Sequence, residues 1–395
     1  MNQQYINSGY DALRSRAGLG AHRFLLRAGL AGSLLFAWIF IFQYYTLDSQ
    51  SVYFGLQRVL FLYGLSQIVC ILLTPLCART LRNGAKRMMV FSISFLSLAY
   101  IGLAVSLAGL LGESTALGFL LFSLALGAYQ AMYWIPYSVE YDAVGRNAQN
   151  FISKELLLAM MPILAGIALF DDQFAPISLL FGMVGLFMVS LLPLIHVPEQ
   201  YEGFSWSFQE TFGELIEPAH RHFVASSLAS GFEGTLLLLF WPIAIFLILG
   251  GSFPLFGILM GFTLLVSLIL KDAGQTAHAS SPLLAAMHAA STWIIRIFVI
   301  TPVSLMLVET YGSGVPGTRS DHFATEQRAD NGSYIDELSA LKEISLALGR
   351  LLAALFAALL LGFLPYDTVL PTLFLCAAII AAFSVYRAHA GHPVS

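Results

Sequence analysis

The sequence predicts an all-α membrane protein of about twelve transmembrane helices, arranged as two pseudosymmetric six-helix bundles. Three observations lead there. Of the 395 residues, 58% are hydrophobic and only 11% are charged, against about 25% charged in an ordinary soluble domain. The chain therefore lacks the polar surface to cover itself in water. Its apolar residues fall into runs long enough to cross a hydrocarbon core, which takes roughly 20 residues of helix. Backbone groups in lipid must be satisfied internally, so such runs are helices and not open strands. Finally, Lys and Arg gather on alternate loops, the pattern that orients spans across a membrane.

A polar, Arg-bearing segment over 1–23 precedes the first apolar run, which reads as a retained span and not a cleaved leader. Spans are expected near 24–45, 55–76, 88–110, 115–137, 154–171 and 175–195, then near 223–248, 252–270, 340–363 and 366–386. The stretch 281–311 is either one long helix or two short ones turning at Thr301-Pro302, since proline marks a boundary.

Charge decides between them. Cytoplasmic positions are expected for Arg14, Arg16, Arg23 and Arg27, for Arg79, Arg82, Lys86 and Arg87, and for Arg146, Lys154, Arg221, Lys271, Arg319, Arg328 and Arg387. The intervening loops hold Asp48, Glu113, Asp171, Asp172 and Asp367 without a Lys or Arg. That alternation is unbroken only if 281–311 contains two spans, which puts both termini in the cytoplasm.

The stretch 197–222 divides six spans from six. Ser207-Phe208-Gln209-Glu210 has capping-box spacing, and Phe204, Phe208 and Phe212 recur every fourth residue. An amphipathic helix on the membrane face is expected there. The chain thus divides into a cytoplasmic segment (1–23), a first half (24–196), the linker (197–222), a second half (223–387) and a short tail (388–395). Faint internal similarity accompanies the count: Phe54-Gly55 opens span two as Phe256-Gly257 opens span eight, and Lys154-Glu155 begins span five as Lys342-Glu343 begins span eleven. A proline lies upstream of each Lys-Glu pair, Pro136 and Pro316. Two such halves with substrate held between them are how one common transporter fold is built.

The loop joining spans two and three runs Cys77-Ala78-Arg79-Thr80-Leu81-Arg82-Asn83-Gly84-Ala85-Lys86-Arg87. It resembles the signature of the major facilitator superfamily: a Gly, an Asp-Arg, one residue, a Gly and a basic cluster. Arg82, Gly84, Lys86 and Arg87 match; Cys77 stands in place of the first Gly and Leu81 in place of the Asp. The second half keeps only Lys271-Asp272-Ala273-Gly274. Tyr133-Trp134-Ile135-Pro136-Tyr137, and Gly231-Phe232-Glu233 followed by Trp241-Pro242, resemble sequences of bacterial members of that superfamily. The resemblance implies a secondary transporter that works by alternating access, in the bacterial cytoplasmic membrane, with gating roles for Arg82, Gly84, Lys86 and Arg87.

An ionisable residue inside a span costs roughly 2.5–3.5 kcal/mol on insertion scales and so marks a functional candidate. Glu233 and Arg350 lie at similar depths in spans seven and eleven, as either substrate and proton groups facing a central cavity or a structural pair. Gln67 and Gln130 suit hydrogen bonding to a polar solute, and Tyr129, Tyr133 and Trp134 add amphipathic aromatic surface. Helix packing and an interfacial aromatic belt are the plain alternatives. Lys154, Glu155, Lys342 and Glu343 sit at the cytoplasmic mouth, as gate bridges or interfacial anchors. Arg296 and Glu309 flank the 301–302 turn, where snorkelling or a local pair is expected.

Other chemistries lack their motifs. There is no phosphate-binding G-x-x-x-x-G-K-[ST] loop, no HExxH and no nucleophile elbow. Cys70, Cys77 and Cys376 have no metal-ligand spacing and read as inert thiols. No cofactor or metal is expected, and the net charge of −4 points to no nucleic acid. The expected partners are a small solute, the bilayer and a coupling proton, with the chain a monomer. A polytopic enzyme acting on a lipid-linked substrate and a non-transporting scaffold or receptor are the competing readings.

Overall fold

A computed structural model of the chain describes residues 2–144, 152–170, 175–274, 281–314 and 335–390. Arg146, Asp171, Asp172, Pro316, Arg319 and Arg328 lie outside the described residues, as do the side chains of Glu113, Lys154, Lys271 and Asp272.

Every regular element among the described residues is helical. The first half holds α1 (Asn2–Ser49), α2 (Val52–Arg79), α3 (Ala85–Leu107), α4 (Thr115–Val144), α5 (Ile152–Ala168) and α6 (Ala175–Val189). A short linker helix, α7 (Phe208–Gly213), follows. The second half begins with α8 (Arg221–Thr235), which runs through a π-helical turn, Leu236–Phe240, into α9 (Trp241–Ile248). Then come α10 (Phe253–Gly274), α11 (Pro282–Arg296), α12 (Pro302–Gly314), α13 (Ile335–Phe363) and α14 (Tyr366–Ala390).

Among the described residues, eight helical segments are long and apolar enough to cross a membrane, α5 and α10 carry shorter apolar stretches, and α11 and α12 are short helices that complete the count. The stretch 281–311 is two helices, as charge alternation requires. Ser281 caps α11 by accepting the amide of Leu284 at 3.2 Å. The turn into α12 is closed by Thr301 and Ser304, each amide donating to the other's hydroxyl at 3.0 and 3.1 Å. At 15 and 13 residues, these helices reach only about 22 and 20 Å. They stop short of the roughly 30 Å hydrocarbon thickness.

Packing repeats between the halves. Within the first, α2 and α3 lie on α4, α3 lies on α6, and α1 lies on α5 and α6. Within the second, α10 lies on α12, α11 on α14, and α8 on α13 and α14, the same arrangement shifted by six spans. Across the halves the closest pairs are α5 with α10 and α2 with α13. Exchanging the halves turns the first of these pairs into the second, which is what a two-fold relationship demands.

Glycine makes the first of these approaches close. On α10, Gly257 and Gly261 are four apart; a Cβ on Gly257 would strike the carbonyl oxygen of Pro162 and the Cα of Gly166 on α5, and one on Gly261 would strike Ile163. Small residues at this spacing let helix backbones touch in lipid. Outward-facing Phe61, Phe91, Phe170, Ile269, Leu307 and Ile379 are exposed, an apolar coat of the kind that lipid covers.

The linker is tied down along its length. Lys86 Nζ donates to the carbonyl of Val197 at 2.8 Å, and the Ala85 amide donates to that of Gln200 at 2.8 Å. The Gln200 amide in turn donates to Glu140 on α4 at 3.2 Å. The Ser205 hydroxyl reaches Glu337 of α13 at 2.8 Å. The capping box at α7 forms: Glu210 N donates to Ser207 Oγ at 3.1 Å and Ser207 N to Glu210 Oε2 at 2.5 Å. Those bonds from Ser207 hold the Glu210 carboxyl below the usual carboxylate range. The helix is real but spans only six residues. This side of the molecule is called the linker face, and the opposite side, where α5 ends and α10 begins, the far face.

Candidate functional site between the halves

Three groups of polar residues lie inside the helices. The first runs along the seam of α2, α4, α8 and α13. Gln67, fully buried on α2, donates to Gln130 on α4 at 3.3 Å, so two candidate solute ligands bind each other. One turn earlier on α2, Tyr63 lies 3.4 Å from Thr235 on α8, a hydroxyl pair linking the halves. Glu343 is buried on α13, not at an exposed mouth, and it faces the electrostatic field of Lys342 and Arg350. The same seam leaves Gln67 Oε1, Tyr129 Oη and Glu343 Oε2 buried without a hydrogen-bond partner. Buried polar atoms are rarely left so, and the seam is the place where they concentrate between the two halves.

Arg350 sits two turns beyond Glu343, its charge felt by Tyr63 and Cys70 of α2. Glu233 is elsewhere: its carboxylate accepts Trp293 Nε1 at 3.2 Å. No ion pair joins Glu233 to Arg350 among the described residues. Position along a helix does not give the direction a side chain takes around its axis.

The second group lies wholly in the second half. Arg296 and Glu309 pair at 3.0 Å, with Trp241 Nε1 donating to Glu309 at 2.7 Å. The guanidinium lies 5.3 and 5.0 Å from the rings of Trp241 and Trp293. The local pair expected for these residues forms, but Arg296 is only 5% exposed, so it is buried and does not snorkel.

The third group brings the candidates Tyr129, Tyr133 and Trp134 together with Arg23 and His22, which the sequence did not single out as site residues. On α4, Tyr129, Tyr133, Tyr137 and Tyr141 stack at successive centroid spacings of 5.4, 5.6 and 6.0 Å. Arg23 of α1 lies over the Trp134 ring at 4.5 Å and the Tyr137 ring at 4.9 Å. Beside it, buried His22 donates from Nδ1 to the carbonyl of Ser190 at 2.7 Å, so its Nε2 accepts the Tyr133 hydroxyl at 3.2 Å. An open cavity of about 340 Å³ adjoins this group, walled by Arg23, Arg27, Leu34, Leu35, Trp134 and, from the π-turn of the second half, Leu238. The four-residue tyrosine spacing was a visible signal, but it carried no hint that Arg23 would meet it.

The gating candidates have local partners. Glu155 pairs with Arg27 at 3.0 Å, inside the first half. Arg87 binds Glu199 of the linker at 3.7 Å, Lys86 binds Val197 as above, and Arg82 is exposed. Gly84 has φ +115°, and a Cβ there would collide with the Glu199 carboxylate. Arg58 lies 4.7 Å over Phe54 near the far face. The three cysteines are free thiols, two of them buried.

No family model matches the sequence, and no curated protein matches it. Solved structures do match over nearly the whole chain. A bacterial homologue of iron transporter ferroportin in an inward-facing state is 16% identical, with a TM-score of 0.63, over 95% of this chain and 99% of that one. A D-xylose–proton symporter is 10% identical, with a TM-score of 0.62, over 94% and 96%. The nucleoside transporter NupG is 13% identical, with a TM-score of 0.57, over 96% and 99%. These likenesses, with the apolar helices and their six-plus-six packing, establish an integral membrane protein whose fold is that of the major facilitator transporters.

Proposed function

We propose that the chain is a secondary transporter, and not an enzyme, that moves a small solute by alternating access, with 24–196 and 223–387 as the rocking halves and 197–222 as their tether. The observation that carries this reading is the cavity shared by α1, α4 and the π-turn, set against a far face packed shut. There Phe40 and Phe253 lie 5.2 Å apart and Phe36 and Phe256 5.3 Å apart, beside the glycine contact of α5 with α10. A cavity between two halves with one end closed is the geometry an inward-open carrier needs. The similar folds, which include a proton symporter and a structure in an inward-facing state, support it. The chain acts as a monomer in the bacterial cytoplasmic membrane, with its termini and linker on the cytoplasmic side.

Proton coupling belongs to the same reading. Glu343 suits that role better than Glu233, because it is buried at the seam with Oε2 unpartnered, and an uncharged carboxyl costs less to bury than a carboxylate. Glu343→Gln abolishes pH-driven accumulation while solute exchange persists; Glu233→Gln with the same effect reverses the assignment.

The test is a solute screen in vesicles containing the purified protein, repeated with cysteines at positions 40 and 253 in a chain lacking its native thiols. Saturable uptake that stops on cross-linking and returns on reduction is expected. Uptake indifferent to the cross-link, or no saturable uptake of any solute, ends the proposal.

A further inference from the structure

We infer that the cavity beside Arg23 binds a small organic anion with a flat apolar body, an inference that rests on the transport reading and names its substrate class. Arg27 already has Glu155 as a partner. Arg23 has no carboxylate in ion-pair distance among the described residues; its guanidinium, half-buried, rests on the faces of Trp134 and Tyr137. Aromatic faces attract a cation but do not neutralise it, so an anion entering the cavity finds a charge already partly desolvated and held in place. Planar guanidinium suits a carboxylate or sulfonate through paired hydrogen bonds.

The rest of the wall sets the body of the ligand. Leu34, Leu35 and Leu238 are aliphatic, Trp134 presents an indole, and the described lining contains no Asn, Gln, Ser, Thr, Asp or Glu. A sugar or nucleoside would leave most of its hydroxyls without partners there, at a cost for each. A cationic solute would meet the Arg23 charge, with no carboxylate in the described lining. About 340 Å³ lies in the range of small-molecule pockets, roughly 300–1,000 Å³, and is too little for a two-chain lipid.

The experiment measures quenching of tryptophan fluorescence in phosphatidylcholine nanodiscs by three probes of one shape: 1-naphthoate, 1-naphthamide and 1-naphthylmethylammonium. Naphthoate is expected to bind at least about tenfold more tightly than the amide, with the ammonium weakest. Arg23→Gln removes that preference and leaves the amide unchanged, and Arg23→Lys restores part of it. Equal binding of all three probes, binding of none at millimolar concentration, or a preference that survives Arg23→Gln overturns the inference. Loss of naphthoate binding in phosphatidylglycerol discs assigns Arg23 to lipid headgroups and overturns it too. The comparison of three probes on the unmodified protein stands even if the variants misfold. Flux of other solutes without a naphthoate preference leaves the transport reading intact and removes this one; naphthoate binding without any flux does the reverse.

Discussion

The phenolic oxygen of Tyr63 lies 3.4 Å from the hydroxyl of Thr235, so one buried hydrogen bond joins α2 of the first half to α8 of the second. Tyr63→Phe keeps the ring, which meets Trp38 edge-on at 5.4 Å, and removes only the hydroxyl. A loss of about 0.5–1.5 kcal/mol is expected. Thr235→Val loses more, because that hydroxyl also donates to the Gly231 carbonyl at 3.1 Å, and the double variant loses little more than Thr235→Val alone, because the Tyr63 hydroxyl then has no partner left to lose. Thermal unfolding in detergent reads all three; fully additive losses contradict a shared bond.

Gly84 is held at φ +115° against Glu199. Gly84→Ala adds backbone strain of about 1–3 kcal/mol and pushes the carboxylate away from the Arg87 amide it accepts at 3.1 Å. Hydrogen exchange over 197–200 should rise. Adding Glu199→Ala relieves the collision but not the strained φ, so stability returns only in part; full recovery argues that φ costs nothing here.

Gly257→Val drives α5 and α10 apart on the far face. Overpacking of about 1–3 kcal/mol is expected, and a cysteine at position 40 becomes more reactive to a water-soluble maleimide. Gly185→Val is the control, since no atom lies within 4 Å of a Cβ there. Equal labelling in both variants counts against the glycine contact as the far-face closure.

The Arg296–Glu309 pair is buried at 3.0 Å. Removing one partner alone, as in Arg296→Met, strands the other charge, at about 3–5 kcal/mol. Arg296→Met combined with Glu309→Gln recovers much of this, because the glutamine carbonyl still accepts from Trp241 Nε1. Yield of folded protein from membranes and melting temperature report the order: double variant above single.

Much of the fold was legible because lipid imposes simple rules. Length and apolarity marked the spans, and the alternation of Arg and Lys located the break that Thr301, Pro302 and Ser304 make. Ser207 and Glu210 announced the linker helix through local chemistry alone. The candidate site was less legible. Depth in a helix follows from counting residues, which is all that sets the expected level of Glu233, Arg350 and Gln67. Azimuth depends on which neighbour each helix turns toward: Glu233 meets Trp293, and Glu343 is buried in the seam and not at the mouth. Arg23 reads as an ordinary basic residue at a membrane edge until α1 is laid on α4, more than a hundred positions away, and its aromatic bed appears.

The far face is shut by Phe36, Phe40, Phe253 and Phe256 and by bare backbone at Gly166 and Gly257, none of which gives up a hydrogen bond when it parts. In the proposed cycle, parting them hydrates benzene rings, and that carries a positive heat-capacity change. The attraction between such rings weakens on cooling. Within that proposed cycle, this contact's contribution shifts with temperature: chilling favours parting at the far face, and warming favours the closed arrangement described here.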